Sequence, residues 1–334
     1  MKYLVLLSGE HPKLPQAEVK ATLEALSVRY TEIDKADQVF VFEALDCPDL
    51  SNRLAYAHFY GQLEFVCDQE KMEILRRAGE VSCEGSFSVR IKRVRGSGLG
   101  FKSPDLEKEI ASRIISKESH VDLENPKNPF VLILSSDRAF FCRVIKNIDR
   151  SQYEKRKPQV RPYFRPGTIL PRTARCLVNL SRARTNESFL DPFCGAGGIL
   201  IEAGLVGCRV YGLDLDERVI TGVKKNLDFY GIKRYVVEIG DARDIPFEDI
   251  RAIATDPPYG ISASTMGLTL ENLYLESLRE MERVLDKGSY IAISLPYEKV
   301  DTKDIISKTG LTEVEYYLDR VHKSLTRRIT VLRS

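Results

Sequence analysis

Four acidic residues each follow a short, largely apolar run in the second half of this 334-residue chain. The runs have the length and composition of buried strands, and the segments between them space their apolar residues as helices do. This alternation predicts a doubly wound α/β sheet, in which ligands bind at the carboxyl ends of the parallel strands. The acids at the predicted strand ends are Asp191, Asp214, Asp241 and Asp256.

A glycine-rich turn from Asp191 to Gly198 separates the first of these strands from the helix that follows. Glycine tolerates positive φ, and it lets a ligand approach the main chain at a helix N-terminus. The glycine spacing differs from that of dinucleotide-binding turns, so the turn alone does not define the ligand. Within it, Cys194 is expected to fill space as a neutral thiol and not to act as a nucleophile.

The segment Asp256-Pro257-Pro258-Tyr259 follows the predicted strand from Ile250 to Thr255. The exocyclic amine of a nucleobase is a poor nucleophile because its lone pair is delocalised into the ring. The Asp256 carboxylate and the Pro257 carbonyl can accept its two N–H bonds, and Tyr259 can stack on the base. Consecutive prolines fix φ and hold the carbonyls rigidly. The alternative is an ordinary turn, in which the prolines only end the strand.

Residues 160 to 334 resemble class I S-adenosylmethionine-dependent amino-methyltransferases. The resemblance implies a Rossmann-like seven-stranded sheet with an antiparallel last strand. It also implies that Asp214 holds the ribose of the cofactor and that Asp241 and Ala242 contact its adenine. The methionine part is assigned to Asp191, Gly195 and Gly197, and catalysis to Asp256, Pro257, Pro258 and Tyr259. The other cofactor-binding residues expected are Pro166, Thr168, Phe193, Cys194, Leu215 and again Asp256.

Basic residues are clustered, although the formal net charge of the chain is only +2. One cluster is expected to bind RNA phosphates, because released counterions drive such contacts; the alternative is an ordinary solvated face. The cluster consists of Arg90, Lys92, Arg93, Arg95 and Lys102. A further basic cluster between Arg320 and Ser334, which includes Arg327 and Arg328, also offers such phosphate contacts.

The segment containing this basic cluster resembles the THUMP domain, an RNA-binding module of RNA-modifying enzymes. The resemblance rests on Phe-x-Val-Arg at Phe87, a predicted helix, Val-Asp-Leu-x-Asn-Pro at Val121 and two further predicted strands. The residues before it resemble the small ferredoxin-like domain that accompanies THUMP. The predicted domains are therefore a ferredoxin-like domain (1–58), a THUMP domain (59–149), a polar linker (150–166) and the methyltransferase domain (167–334). The first two domains are expected to be α+β.

The order of these segments resembles the archaeal tRNA guanosine-10 N2-methyltransferases. The element Arg-Pro-x-Phe-x-Pro-Gly at Arg161 precedes the sheet, as in that family. The resemblance implies an S-adenosylmethionine-dependent enzyme that methylates guanosine N2 in tRNA, at position 10. Ala196 replaces a frequent threonine of relatives, and an arginine expected within Ile261 to Ser264 is missing. Methylation of guanosine 6, of ribosomal RNA or of DNA, and RNA binding without catalysis, remain alternatives.

The cysteine content is typical of a protein from the reducing interior of a cell. The seven cysteines include no Cys-x-x-Cys pair and the four histidines lack ligand spacing, so neither disulfides nor a metal site is expected. No apolar run approaches the ~20 residues that cross a bilayer. We expect a cytoplasmic protein that binds tRNA but no membrane, and that is a monomer, with a small activator protein as an open option.

The expected mechanism is direct methyl transfer without a covalent enzyme intermediate. Asp256 and the Pro257 carbonyl would orient the amine, and Asp256 would take the released proton. Tyr259 would stack on a base extruded from the RNA stem. Because stacking needs only the ring, the sequence predicts a mild effect for Tyr259→Phe.

Overall fold

The computed structural model describes residues 1–98, 100, 102–114, 116, 118–260, 269–322 and 325–334. The segment Ile261 to Ser264, where an arginine was expected, lies outside the described residues. The chain divides into two compact units. The first unit comprises Met1–Pro12, Val28–Ser51 and Ala57–Asp149, and the second unit comprises Lys13–Ser27, Asn52–Tyr56 and Arg150–Ser334.

One eight-stranded sheet organises the first unit. Its strands are β1 (Lys2–Leu7), β2 (Tyr30–Ala36), β3 (Val39–Ala44), β4 (Ala57–Asp68), β5 (Gly85–Arg93), β6 (Ser119–Val121), β7 (Asn128–Ser135) and β8 (Arg138–Asn147). The spatial order is β2-β3-β1-β4-β8-β7-β5-β6. The long strand β4 pairs with β1 on one side and β8 on the other. The sheet is therefore continuous across residue 58, where the sequence places a domain boundary, and the ferredoxin-like and THUMP assignments stay predictions.

The first three helices divide between the units. Helices α2 (Lys71–Ala78) and α3 (Ser103–Ile114) contact each other and strands of the first unit, where Ile74 and Ile110 are fully buried. Helix α1 (Leu14–Ala25) belongs to the second unit, although the sequence places it in a small N-terminal domain. It is held there by the buried Glu18, which accepts hydrogen bonds from the main-chain N–H groups of Ala55 and Tyr56.

Residues 150–166, predicted as a linker, form part of the second unit. They include a short helix α4 (Ser151–Glu154) and a 3₁₀ turn at Pro158–Val160. Tyr153, Arg156 and Arg161 are buried. Arg156 forms an ion pair of 2.8 Å with Glu202, which compensates for burying its charge. Part of this basic, polar segment can thus lie inside the unit, because the long aliphatic stem of Arg156 packs while its charged end is paired.

A seven-stranded sheet organises the second unit. Its strands are β9 (Ser188–Asp191), β10 (Arg209–Asp214), β11 (Tyr235–Ile239), β12 (Ile250–Thr255), β13 (Leu285–Pro296), β14 (Thr312–His322) and β15 (Leu325–Arg333). The order is β11-β10-β9-β12-β13-β15-β14. Strands β9 to β13 are parallel, and β15 lies antiparallel between β13 and β14. The Rossmann-like sheet with an antiparallel last strand is therefore confirmed.

Helices cover both faces of this sheet. One core includes residues of α1, α5 (Pro171–Leu180), α6 (Gly198–Val206) and α7 (Glu217–Phe229). The other includes residues of α8 (Leu270–Val284) and α9 (Thr302–Ser307). Neighbouring strand residues such as Phe189 and Leu190 enter opposite cores, which explains why these strands have no polar face. Among the described residues, no helix is long and apolar enough to cross a membrane.

The direction in which the chain winds reverses between two central strands. From β9 it proceeds to β10 and β11 at one edge, whereas β12 and β13 lie on the other side of β9. Connections above such a switch point diverge and leave a crevice at the carboxyl ends of the strands. Asp191 and Asp214, which end β9 and β10, and Asp256, which follows β12, are placed at this crevice.

Candidate active site

A cavity of about 630 Å³ is lined by residues at the carboxyl ends of β9, β10 and β12 and after β11. It brings together nearly all of the predicted cofactor-binding residues: Pro166, Thr168, Asp191, Phe193, Cys194, Gly195, Asp214, Leu215, Asp241, Ala242 and Asp256. Pro258 also lines it. Three other predicted residues, Gly197, Pro257 and Tyr259, are not among the described residues of its wall.

The glycine-rich turn adopts a backbone that needs glycine. Gly195 and Gly197 have φ values of 49° and 77°. A Cβ at Gly197 would lie 3.1 Å from Val223 Cγ1, so this glycine allows α6 and α7 to pack closely. Gly197 therefore determines the conformation of the turn without lining the cavity itself. Burial raises the pKa of the Cys194 thiol well above its usual range, which keeps it protonated.

Asp191 is buried at the end of β9, with 1% of its surface exposed. Its Oδ1 accepts hydrogen bonds from Thr255 Oγ1 at 2.7 Å and from the main-chain N–H of Phe193 at 3.2 Å. Burial raises the pKa of Asp191 to about 7, with smaller contributions from the charges of Asp256 and Asp214. This carboxyl group can therefore change its charge near neutral pH.

The two other acids have different surroundings. Asp214 accepts hydrogen bonds from the main-chain N–H groups of Gly195 and Asp216, both at 3.1 Å, and burial raises its pKa. Asp241 forms an ion pair with Arg243 at 2.6 Å, and hydrogen bonds from Arg243 lower its pKa. Asp214 is thus held by main-chain groups, whereas Asp241 is held by both the side chain and the main-chain N–H of Arg243.

Two side chains fix the main chain around the prolines. The hydroxyl group of Tyr274, on α8, donates to the carbonyl oxygen of Pro258 at 2.6 Å. Lys299 Nζ donates to the carbonyl oxygen of Tyr259 at 3.0 Å. Among the described residues, no hydrogen bond to the Pro257 carbonyl is found. The turn is therefore anchored at two carbonyls, and the one predicted to accept from the substrate is not used in this anchoring.

Tyr259 contributes its hydroxyl group to a polar cluster. The hydroxyl donates to Asp256 Oδ1 and lies 2.9 Å from Ser294 Oγ. Arg327 Nε donates to the same hydroxyl oxygen at 3.1 Å, and Arg327 Nη2 lies 3.4 Å from Asp256 Oδ2. Burial, followed by the Asp256 charge, raises the pKa of Tyr259 well above its usual range. The phenol is therefore a neutral donor that fixes one side of the carboxylate.

Asn226, on α7, links two segments that lead into the cavity wall. Its Oδ1 accepts from the Tyr163 main-chain N–H, and its Nδ2 donates to the carbonyl oxygens of Tyr163 and Ala196, each at 2.9 Å. It is completely buried. Asn226 was not predicted from the sequence, because a lone asparagine within a helical pattern carries no motif. A buried polar residue on an otherwise apolar helix face was the available signal.

The comparisons with known proteins agree on one group. Residues 158–329 match the RMKL-like methyltransferase domain. The chain is 38% identical to the tRNA (guanine(10)-N2)-dimethyltransferase of Methanothermobacter thermautotrophicus, over 99% of both chains. It is 34% identical to the enzyme of the same name from Pyrococcus abyssi, again over 99% of both chains. The chain belongs to the tRNA (guanine(10)-N2)-dimethyltransferase family. Among solved structures, TrmN of Thermus thermophilus matches with a TM-score of 0.56 and 21% identity over 100% of both chains, which shows the fold.

The predicted RNA-binding residues of this family member lie in the first unit. Arg90, Lys92, Arg95 and Lys102 are exposed, although Arg90 and Arg95 have ion pairs with Glu107 and Asp37. Arg93 is only partly exposed, and its guanidinium donates to Ser103 Oγ and to the carbonyl oxygens of Ser97 and Gly98. It holds the loop after β5, so it is less available to RNA than the four others.

Proposed function

We propose that this chain methylates the exocyclic N2 of guanosine 10 in tRNA, using S-adenosylmethionine as methyl donor. A second transfer to the same nitrogen would give N2,N2-dimethylguanosine. The observation that carries the proposal is the Asp256 carboxylate on the wall of a cavity that is also lined by the strand-end acids Asp191, Asp214 and Asp241. It stands in a chain 38% identical along its length to a relative with this activity in its name.

The residues around the cavity fit S-adenosylmethionine. About 630 Å³ is within the range of small-molecule sites. Asp214 and Asp241 offer acceptors for ribose hydroxyl groups and an adenine amine, and the Asp191 carboxylate offers a counter-charge for an ammonium group. At Gly195 an added Cβ would meet only the Phe193 carbonyl oxygen, at 4.0 Å, so the ligand can approach the main chain. When bound, this cofactor supplies an electrophilic methyl group on a sulfonium.

Asp256 and the main chain after it would activate the guanine amine. The carboxylate and the Pro257 carbonyl accept its N–H bonds and turn its lone pair out of the ring plane. Guanine N2 gains the methyl group as the carbon–sulfur bond breaks, with the electron pair remaining on sulfur. N2 then loses one proton, which Asp256 takes and passes to water. Positioning supplies most of the rate in such a reaction.

The tyrosine ring and the first unit would bind the RNA. Tyr259 would stack on a base removed from its stem. The exposed Arg90, Lys92, Arg95 and Lys102 would contact phosphates. The THUMP assignment, the monomeric state, an activator protein and a cytoplasmic location stay predictions.

The test uses one tRNA transcript and two variants in which a single guanosine is replaced by inosine. Inosine lacks only the exocyclic amine, so base pairing and fold are largely kept. We expect N2-methylguanosine and N2,N2-dimethylguanosine, measured by mass spectrometry of nucleosides, with the parent RNA and with inosine at position 6. Inosine at position 10 should abolish both products. An Asp256→Ala protein should bind the cofactor but transfer no methyl group.

Other results would point to other functions. Loss of product with inosine at position 6 would assign the chain to that site instead. Methylation of ribosomal RNA alone would change the substrate. RNA binding without any methylated nucleoside would leave only an RNA-binding role.

A further inference from the structure

Arg327 lies at the catalytic carboxylate although it is 71 residues from Asp256 in the chain. Its Nη2 is 3.4 Å from Asp256 Oδ2 and its Nε is 3.1 Å from the Tyr259 hydroxyl oxygen. The side chains of Arg327 and Asp256 are 10% and 14% exposed. From the sequence, Arg327 belongs to a cluster of basic residues that offer phosphate contacts. Its burial and its partners do not fit that role.

The register of the antiparallel hairpin places Arg327 and not its neighbour at the site. Arg327 lies opposite Pro296 on β13 and Asp319 on β14. Arg328 is equally buried but its side chain pairs with Glu313 at 2.7 Å and lies over the Tyr316 ring. Successive residues of a strand face opposite sides of the sheet. A one-residue shift of the register would therefore exchange the two arginines.

The Asp256 carboxylate needs a counter-charge at this place. Asp191 and Asp214 line the same cavity, and the charges of Asp256 and Asp214 raise the pKa of Asp191. Burial lowers the pKa of Arg327, but the charges of Asp256, Tyr259 and Asp319 and the hydrogen bond to Tyr259 together outweigh burial, so that its pKa is raised. An arginine that remains charged when buried can supply this counter-charge and two directed N–H donors.

We propose that Arg327 is a positioning residue of the methyl transfer, which fixes the Asp256 carboxylate directly and through the Tyr259 hydroxyl group. This inference rests on the proposed function. A carboxylate has about two acceptor positions on each oxygen. Tyr259 occupies one on Oδ1 and Arg327 one on Oδ2, so the remaining positions have fixed directions. Without the guanidinium, the carboxylate rotates and the amine is held less often in the reactive geometry.

The experiment compares Arg327→Gln and Arg327→Lys with Arg328→Gln as the matched control on the same strand. We measure single-turnover methyl transfer at saturating cofactor and tRNA, together with the dissociation constants of both. Arg327→Gln should slow the transfer about 10²-fold, which is the effect expected when a reacting group is misplaced by about 1 Å. The affinities for cofactor and for tRNA should stay within about threefold of wild type. Arg327→Lys should recover part of the rate. Arg328→Gln should transfer at a rate within about threefold of wild type.

Rescue and a thermodynamic cycle separate positioning from general damage. Guanidinium chloride, added well below denaturing concentrations, should restore part of the rate of Arg327→Ala. In unfolding measurements, Arg327→Gln and Asp256→Asn should be non-additive, because each removes the same contact.

An unchanged rate for Arg327→Gln, a loss of tRNA affinity without a loss of rate, or additive effects on unfolding would overturn the inference. The wild-type protein, measured in parallel, tests the proposed function separately. Methylation of a nucleoside other than guanosine 10 would correct the target, and the Arg327 comparison would then be made on that substrate. If no RNA is methylated, the additivity of the unfolding effects still decides whether Arg327 holds Asp256.

Discussion

The hydroxyl group of Tyr259 has three polar partners, Asp256, Ser294 and Arg327. The sequence predicted a function only for the ring of Tyr259, namely stacking on the target base. In the structure, removing the hydroxyl would take away the atom to which Asp256, Ser294 and Arg327 are all hydrogen-bonded. These three polar groups of a partly buried cluster would each lose a partner. Unpaired polar groups in such places cost free energy, and the cluster can relieve the cost only by rearranging around the carboxylate.

We therefore predict that Tyr259→Phe slows methyl transfer by about tenfold or more, in place of the mild effect expected from the sequence. The affinity for S-adenosylmethionine should stay near that of wild type, because Tyr259 does not line the cavity. The rate is measured in single turnovers. Tyr297→Phe, at an exposed tyrosine just after β13, is the control and should be neutral. A wild-type rate in Tyr259→Phe would show that stacking alone is sufficient.

The raised pKa of Asp191 predicts a pH dependence of cofactor binding. If the carboxylate pairs with the ammonium group of the cofactor, binding needs the ionised form. Affinity should then rise as the pH increases through about 7, by roughly tenfold between pH 6 and pH 8. Calorimetric titration across this range measures it. Asp191→Asn should bind more weakly at pH 8 and show little of this dependence.

Asp191 should also make the stability of the cofactor-free protein depend on pH. Stability should fall as the pH rises, whereas cofactor affinity should increase. The pKa of Asp191 is higher in the folded state than its ordinary value of 3.8, so the folded state favours the protonated form. Its contribution to stability is present below that ordinary value and is lost as the pH rises through about 7. Asp191→Asn should therefore melt at a higher temperature than wild type at pH 8. Parallel melting curves from pH 5 to pH 8 would contradict this assignment.

Strands and helices that are marked by the local spacing of apolar residues could be predicted from the sequence. The contacts between elements distant in the chain could not. The strand ends at Asp191, Asp214 and Asp256 could be placed together because parallel strands bring their carboxyl ends to one edge. Arg327 and Arg328 are indistinguishable in sequence, since only the hairpin register decides which one faces Asp256. The position of α1 in the second unit likewise depends on side-chain contacts distant in sequence, such as Glu18 with Tyr56.

Asn226 tests whether helix α7 holds the cavity wall. Asn226→Ala removes three hydrogen bonds to main-chain groups of Tyr163 and Ala196. Each buried group left unpaired costs about 1–3 kcal/mol, so unfolding should need clearly less denaturant. Cofactor affinity should fall as well, because segments next to Pro166 and Gly195 are released. Denaturant unfolding and calorimetric titration measure the two effects.

Asn179 provides a matched control within the same unit. It is also completely buried and its side chain makes three hydrogen bonds, but with Glu18 and Arg53, neither of which lines the cavity. Asn179→Ala should lose similar stability and keep cofactor affinity. Equal losses of affinity in the two variants would mean that destabilisation alone, and not the cavity wall, explains the Asn226 result.

At the scale of the whole molecule, the two units have different predicted functions, RNA binding in the first and cofactor binding in the second. The acid-lined cavity belongs to the second unit, and the exposed basic residues on and after β5 belong to the first. If this division is functional, substitutions in the first unit should change RNA affinity without changing cofactor affinity. The salt dependence of binding distinguishes phosphate contacts from other effects, because each contact releases counterions.

We predict that the double variant Arg90→Gln and Lys92→Gln binds tRNA more weakly. The slope of log affinity against log salt should become shallower by roughly 1.5 to 2, for the loss of two phosphate contacts. Cofactor affinity should not change. The control, Lys71→Gln with Arg76→Gln, removes two positive charges from α2 in the same unit, where both are paired with glutamates. An equal change of slope in the control would show that net charge, and not the β5 residues, determines binding.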